Sequence, residues 1–327
     1  MANAKLIHFD SGGVKCAADL YLPDAGAYVY PRPGVVIGHG FSIIKSALVQ
    51  QATYLVNAGY VVMAIDYRTF GESEGEPRAQ IWPLDQVEDF RNAITWLEQR
   101  TELVIPERIG IWGVSFGGGV VLYTAAIEPR VKVVVAQSPS LGRTWTKSLR
   151  TPFEWAEMEQ MLVEERRRLA RGESPRRIPL TARPAEGHSA MPGDDLAVGF
   201  IKAAEKNLPG YRSDITLQSV EKVAEFFPDR ITDLVAPRPL LIVTNAAYDL
   251  HHPLAQVQAA FDRAGEPKKL VTLPYDTVGL YSEPGLGVAM RHAIAWYDRY
   301  LLADAKAEAE AEAEALSRAR SWVSQAR

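Results

Sequence analysis

Cysteine is nearly absent from this sequence: Cys16 is the only one among 327 residues, so no internal disulfide can form. No apolar run approaches the ~18 residues that a membrane helix needs, and the first ten residues do not resemble a signal peptide. The net charge of −4 lacks the basic surplus typical of nucleic-acid-binding proteins. We therefore expect a cytoplasmic protein that binds neither nucleic acid nor membrane.

Cofactor motifs are also missing. The sequence contains no Walker loop and no G-x-G-x-x-G segment after a predicted strand, so no nucleotide cofactor is implied and no cofactor is expected. The adjacent histidines His251 and His252 have no third ligand at useful spacing, and we predict no metal site. The expected partner is a small-molecule substrate.

Short apolar runs bounded by glycine and proline alternate with segments of helical periodicity. The predicted strands are 4–10, 14–22, 35–37, 60–65, 109–112, 131–135, 239–244 and 269–273. The predicted helices are 47–58, 84–100, 116–127, 253–264 and 287–302. This alternation predicts an α/β fold with a mostly parallel central sheet and helices on both of its faces.

The alternation breaks between residues 142 and 232, where arginine and glutamate runs replace strand-like segments. We predict a mostly helical cap there, irregular over about 172–195, inserted between core segments 1–141 and 233–303. Ala-Glu repeats predict a helical or disordered tail over 304–327. The apolar and aromatic side chains of the cap favour a bulky, mostly carbon substrate.

A candidate nucleophile lies in Gly113-Val114-Ser115-Phe116-Gly117, which matches G-x-S-x-G between a predicted strand and a predicted helix. Such a serine occupies a very tight turn above the strand ends, and small residues on both sides let the neighbouring backbone pass. The free amides of the following helix favour developing negative charge. The motif therefore predicts nucleophilic catalysis by Ser115.

Two further loops follow buried strands. In Gly38-His39-Gly40-Phe41, the amide of Phe41 is expected to form an oxyanion hole with the amide of Phe116, while His39 braces the loop. Asp66, in the polar turn Asp66-Tyr67-Arg68-Thr69-Phe70-Gly71-Glu72-Ser73, is expected to stabilise that turn.

This order of strands and motifs resembles the α/β-hydrolase superfamily over about residues 5–303. The segment 213–239 is similar to the dienelactone-hydrolase-like and polyketide-transferase-like members, which carry a helical cap. The resemblance implies the α/β-hydrolase fold and an enzyme acting on an ester, lactone or thioester carbonyl. The fold also hosts lyases and acyltransferases, so it does not define one substrate.

The resemblance also implies an acid and a base after the last two strands. Asp249 is the carboxylate available for the acid position. Relatives show a pattern like P-G-x-H-x-D-L-Y for the base, but Thr277 stands here where the histidine is expected, and no histidine occurs between 253 and 291. A serine hydroxyl is a poor nucleophile without a base, and threonine does not titrate near neutral pH. The triad is therefore predicted to be atypical.

Several explanations stay open at this point. His251 or His252, on the acid loop, is a candidate for a relocated base, and His188 of the cap is another. Without any imidazole, the same pocket suits a lyase, cyclase, dehydratase or acyltransferase of natural-product metabolism, or a non-catalytic ligand-binding homologue. Thr277 can also mark an engineered substitution. A carrier- or CoA-linked acyl group is a possible substrate, and a homodimer is a possible assembly.

Overall fold

The computed structural model describes residues 4–302, and its central feature is an eight-stranded sheet. Two further short strands form a separate pair. The strands are β1 Ala4–Ser11, β2 Val14–Tyr21, β3 Arg32–Gly38, β4 Val61–Ile65, β5 Val104–Val114, β6 Val131–Gln137, β7 Arg177–Pro179, β8 Asp214–Thr216, β9 Leu240–Asn245 and β10 Lys268–Leu273. The helical tail predicted for 304–327 lies outside the described residues.

The large sheet has the strand order β1-β2-β4-β3-β5-β6-β9-β10. The predicted strands 4–10 and 14–22 correspond to β1 and β2, which form an antiparallel hairpin, and β2 also pairs antiparallel with β4. Within this sheet β3 pairs in parallel with β4 and β5, and the pairs β5–β6, β6–β9 and β9–β10 are also parallel, as the buried apolar runs predict. The carboxyl ends of these strands therefore meet along one edge, which is where open α/β sheets bind ligands.

Helices cover both faces of the sheet. They are α1 Val49–Asn57, α2 Pro83–Glu98, α3 Phe116–Ile127, α4 Arg143–Ser148, α5 Pro152–Ala170, α6 Asp195–Asn207, α7 Gln218–Ala224, α8 Leu254–Arg263, α9 Thr277–Tyr281 and α10 Gly285–Tyr297. One apolar core joins α2, α3 and α8 to the sheet, and a second joins α1 and α10 to its other face. This confirms the predicted fold class.

Two elements differ from the sequence predictions. The helix predicted for 287–302 ends its α-helical part at Tyr297 and continues as a π-helix over Asp298–Leu302. The segment between the predicted strand 269–273 and the predicted helix 287–302 contains the short helix α9, whose N-terminus is capped by the side chain of Asp276. A five-residue helix is too short to show a helical period in the sequence.

The insertion between β6 and β9 contains α4, α5, α6 and α7, together with the antiparallel pair β7–β8. The pair lies partly within the segment expected to be irregular, and its Ile178 and Ile215 are buried opposite each other. A hydrogen bond of 3.3 Å from the Thr216 amide to the Ala79 carbonyl ties this pair to the sheet domain. The insertion is thus mostly helical, with one small ribbon.

Within residues 4–302, no helix is both long and apolar enough to cross a membrane.

Candidate active site

Ser115 lies on the tight strand-to-helix turn that the G-x-S-x-G motif predicts. β5 ends at Val114 and α3 begins at Phe116, and between them Ser115 has φ 53° and ψ −120°. A non-glycine residue in this left-handed region stores about 1–3 kcal/mol of strain. A Cβ at Gly113 would overlap the carbonyl oxygen of Gly117, which explains why the turn needs a glycine there.

Backbone hydrogen bonds to the end of β6 and to the residues that follow it hold the Ser115 turn in place. The Ser115 amide donates to the Gln137 carbonyl at the end of β6 (2.9 Å), and the Ser140 amide donates to the Ser115 carbonyl (2.9 Å). The Ser140 hydroxyl lies 3.3 Å from the Ser115 hydroxyl. Ser140 was not singled out from the sequence, because no motif marks a serine whose contacts arise only from sheet order.

The structure places the imidazole of His252 beside this serine. His252 Nε2 lies 2.8 Å from Ser115 Oγ, and His252 Nδ1 lies 3.2 Å from Asp249 Oδ1. Both residues come from the loop after β9, and both side chains are nearly fully buried. Of the open alternatives for the base, His252 is therefore the one that reaches the hydroxyl.

Hydrogen bonds from its surroundings keep the Asp249 carboxyl ionised. Its Oδ1 accepts hydrogen bonds from the amides of His251 (2.7 Å) and His252 (3.0 Å). Burial alone would raise the pKa of this carboxyl, but the hydrogen bond and charge of His252 and the two amides outweigh burial and lower the pKa to about 2. A carboxylate facing Nδ1 favours the imidazole tautomer whose Nε2 is free to accept a proton.

Thr277, at the position where the resemblance implies a histidine, contacts the imidazole of His252. Its hydroxyl lies 2.9 Å from His252 Nδ1, and it begins helix α9. The preceding Asp276 is exposed and accepts from the Gly279 amide (2.7 Å), so it serves as a helix cap. The lyase, cyclase, dehydratase, acyltransferase and non-catalytic alternatives were based on a pocket without an imidazole, and the structure places the His252 ring in the pocket.

The remaining candidate histidines do not approach Ser115 in this way. His39 is buried, its Nδ1 lies 3.0 Å from the Gly40 carbonyl, and burial lowers its pKa to about 4, so it braces the loop as expected. His188 is exposed on the cap. The ring of His251 forms no hydrogen bond with Ser115, although it faces the same pocket.

The loop that carries Phe41 packs against the nucleophile turn. A Cβ built at Gly40 would lie 3.1 Å from the Ser115 Cβ, and the rings of Phe41 and Phe116 meet edge to face at 5.3 Å. Asp66 stabilises its turn as expected, since its carboxylate accepts from the amides of Lys45 (2.7 Å) and Glu72 (3.0 Å). The two expected oxyanion-hole residues are therefore neighbours beside Ser115.

A cavity of about 230 Å³ lies between the carboxyl edge of the sheet and the cap. The cap contributes apolar side chains from α6 and its approach, namely Met191, Leu196, Ala197, Phe200 and Ile201. Ser115, Asp249 and His252 line its opposite side together with Tyr281. Burial raises the pKa of the Tyr281 phenol, which thus stays protonated. Over the described range, no group of three or more potential metal ligands occurs.

Comparisons with known proteins agree with this geometry. The family model described as X-Pro dipeptidyl-peptidase (S15 family) matches residues 12–171. Quorum-quenching protein AidA of Acinetobacter baumannii (strain MDR-ZJ06) is 31% identical over 243 residues, which cover 73% of this chain and 77% of AidA. With its fold and nucleophile turn, the chain belongs to the α/β-hydrolase superfamily.

Within that superfamily the chain is similar to a polyketide transferase and to a protein whose structure has been solved with a substrate analogue. Polyketide transferase grgF of a Penicillium species is 28% identical over 239 residues, covering 73% of this chain and 78% of grgF. The solved structure of DcsB in complex with its substrate analogue is 26% identical, has a TM-score of 0.81, and covers 92% of this chain and 100% of DcsB. Membership of this superfamily supports an enzyme.

Proposed function

We propose that this protein is a serine enzyme acting on the acyl carbon of an ester, lactone or thioester of a bulky, mostly apolar small molecule. The observation that carries the proposal is the 2.8 Å distance between His252 Nε2 and Ser115 Oγ, with the Asp249 carboxylate behind the ring. A nucleophile hydrogen-bonded to a base that is itself oriented by a third group is the arrangement that activates serine.

The first half of the reaction forms an acyl-enzyme. Ser115 Oγ attacks the carbonyl carbon while its proton passes to His252 Nε2, and the carbonyl oxygen becomes an oxyanion. The amides of Phe41 and Phe116 are the donors we assign to that oxyanion. Collapse of the tetrahedral intermediate breaks the bond to the leaving group, which takes the proton from His252. The ester, lactone or thioester bond is thereby exchanged for a bond to Ser115.

The second half regenerates the enzyme. A water molecule gives its proton to His252 and attacks the acyl carbon, and the released Ser115 oxygen then takes that proton back. Asp249 stays ionised throughout, because its pKa of about 2 lies far below the working pH. It holds Nδ1–H and stabilises the imidazolium that forms in each half. The Thr277 hydroxyl, 2.9 Å from the same nitrogen, is a second acceptor for that proton.

The arrangement makes the triad atypical in its chain positions. Acid and base lie three residues apart on one loop, whereas the resemblance implies a base after the last strand. Asp249 Oδ1 binds the amides of His251 and His252, which folds the loop into a turn and directs the second ring toward Ser115. The position after β10 is then left to Thr277.

Acyl transfer is the second candidate for this site. Apart from Asp194, the side chains that the cap adds to the pocket are apolar, which favours an organic acceptor over water in the second half-reaction. A polyketide transferase is among the similar proteins, and a carrier- or CoA-linked acyl donor fits the same chemistry. The ratio of transfer to hydrolysis products, measured with an added alcohol or thiol, distinguishes the two.

A fluorophosphonate probe tests the proposal. We expect a single covalent adduct, located by mass spectrometry on the peptide that contains Ser115, and no adduct in Ser115→Ala. His252→Gln should label at least about 100-fold more slowly, because the base has been removed. Ser282→Ala, which changes an exposed serine outside the site, serves as the matched control. Native protein that is folded yet not labelled at Ser115 contradicts the proposal.

A further inference from the structure

Two large apolar side chains lie exposed where the cavity beside Ser115 opens to solvent. Tyr248, on the loop after β9, is 86% exposed, and Leu196, in the first turn of α6, is 47% exposed. Both residues also line the cavity. A side chain that lines a cavity and still keeps this much of its surface in solvent lies at the mouth of that cavity. One side of the mouth therefore belongs to the sheet domain and another to the cap.

Hydrogen bonds hold the backbone next to both residues. Directly after Tyr248, the Asp249 carboxylate accepts two backbone amides of the same loop, at 2.7 and 3.0 Å. Two residues before Leu196, the side chain of Asp194 caps α6 by accepting from the Ala197 amide (3.0 Å). Among residues 4–302, the Tyr248 ring packs on no other aromatic ring and its hydroxyl has no protein hydrogen-bond partner. Both side chains are thus held at the mouth, although the fold itself makes little use of the Tyr248 ring.

The cavity is small for the substrate class proposed above. Its volume of about 230 Å³ lies below the roughly 300–1,000 Å³ of pockets that enclose a drug-sized ligand. A bulky substrate whose carbonyl carbon reaches Ser115 therefore extends out through the mouth, where it meets the exposed surfaces of Tyr248 and Leu196. Removing apolar surface from water is favourable, so an apolar part of the substrate gains binding free energy by covering these two side chains.

We propose that Tyr248 and Leu196 form a mouth subsite that binds an uncharged apolar tail of the substrate outside the cavity. The mouth subsite rests on the function proposed above and narrows its substrate class to molecules with a hydrocarbon or aryl tail that is longer than the cavity. Neither side chain takes part in the proton transfers between Ser115 and His252. The two residues therefore determine which substrate is selected, and the chemical step is left to the other residues of the site.

The charges around the cavity favour a neutral tail over an anionic one. Asp194 is exposed and lines the cavity two residues before Leu196, and the buried Asp249 lines it beside the His252 ring. Among the described residues that line this cavity, none is a lysine or an arginine. A tail that ends in a carboxylate would meet a like charge at the mouth and no compensating cation.

Two chain-length series test the mouth subsite and identify the part of the substrate that carries the tail. The acyl series compares ethyl butyrate with ethyl octanoate, and the alcohol series compares butyl acetate with octyl acetate. In one series we expect kcat/KM to rise at least about tenfold from the shorter to the longer chain, since each fully buried methylene contributes about fourfold. The compounds of that length that end in a carboxylate, monoethyl suberate and 8-acetoxyoctanoate, should lose most of this gain.

Variants then assign the preference to the two side chains. Tyr248→Ala and Leu196→Ala should each lower the ratio of long-chain to short-chain kcat/KM about threefold, and the double variant about tenfold, while the short-chain rate changes less than about twofold. Tyr248→Phe should keep the ratio, because the contact is made by the ring. Phe153→Ala and Leu234→Ala, which remove exposed side chains that do not line the cavity, are the matched controls. Equal kcat/KM for both chain lengths in the native enzyme, an unchanged ratio in the double variant, or an equal fall in the controls overturns the mouth subsite.

A binding measurement separates this proposal from the catalytic one. In Ser115→Ala, calorimetry should show octanamide or octanol binding more tightly than butanamide or butanol, and adding Tyr248→Ala and Leu196→Ala should reduce the difference about tenfold. If Ser115 reacts with no probe but this difference is found and depends on the two side chains, the mouth subsite stands and the proposed reaction fails. If Ser115 reacts but no difference is found, only the mouth subsite fails.

Discussion

Exchanging the position of the base is the sharpest test of the site. The change is His252→Ala, alone and combined with Thr277→His. His252 Nε2 lies 2.8 Å from the Ser115 hydroxyl, so the alanine variant leaves the nucleophile without a proton acceptor in contact. We expect kcat/KM for p-nitrophenyl butyrate to fall on the order of 10⁴-fold, which corresponds to about 5.4 kcal/mol of transition-state stabilisation.

The double variant should recover part of this loss. The Thr277 hydroxyl is 2.9 Å from the His252 ring, so an imidazole at 277 would enter the space that the alanine vacates. It would also lie near Asp249, which contacts the same ring nitrogen as Thr277 does. We expect the double variant to be at least about tenfold faster than His252→Ala, since even an imperfectly placed base assists proton transfer.

Thr277→His alone separates this model from a pocket that simply lacks a base. Thr277 is buried, and the ring of His252 occupies the space beside it. A second imidazole there should cost about 1–3 kcal/mol through overpacking and should lower activity. The reasoning is refuted if His252→Ala keeps more than a tenth of the native rate, or if Thr277→His by itself strongly increases ester hydrolysis.

Asp249→Asn should lower kcat on the order of 10⁴-fold with little change in Tm, because the amide oxygen at the Oδ1 position can still accept the hydrogen bonds of the loop, but the negative charge that stabilises the imidazolium is lost; an unaffected kcat would argue against the assigned acid. Gly113→Ala should destabilise the fold by at least about 1–3 kcal/mol in urea unfolding, since its Cβ overlaps a carbonyl oxygen. The control Gly199→Ala, in open space on a helix, should stabilise it by about 0.5–1 kcal/mol, and equal effects would contradict the packing argument. Burial alone would raise the pKa of Glu128, but hydrogen bonds from two arginines outweigh burial and lower this pKa to about 2. The ionised carboxylate therefore stabilises the fold above pH 4.5, and this stabilisation is lost as the pH falls toward 2. The unfolding free energy of Glu128→Gln should consequently vary less over that interval. An identical pH profile in the Gln variant would show that this carboxylate does not contribute.

The fold and the tight turn that carries Ser115 could be predicted from the sequence because both rest on local signals. Buried strands such as β4 appear as continuous apolar runs, and Ser115 lies in a motif whose glycines are required by backbone contact. The short strands β7 and β8 give no such signal, since three residues cannot display a period of two.

The sequence narrows the candidates for the base to a few histidines, but it does not show which of them lies beside Ser115. Sequence spacing places both His251 and His252 on the loop after β9, and nothing in the composition distinguishes them. The choice depends on the turn in which Asp249 accepts from two successive amides, which directs one ring to Ser115 and the other to the cap. That turn is set by tertiary geometry at the strand end.

Asp249 and His252, the acid and the base of the proposed reaction, lie on the same loop and are positioned together. Its internal contacts span three residues, so they persist whatever the segment after β10 does. That segment, from Tyr275 to Tyr281, contacts the ring through Thr277 and lines part of the cavity, and the Gln137 side chain donates to the carbonyl of its buried Leu280 (3.0 Å). Substitutions at the positions of that segment that line the cavity can therefore change the substrate without removing the proposed acid or base. If the base lay on that segment, such substitutions would also displace the base.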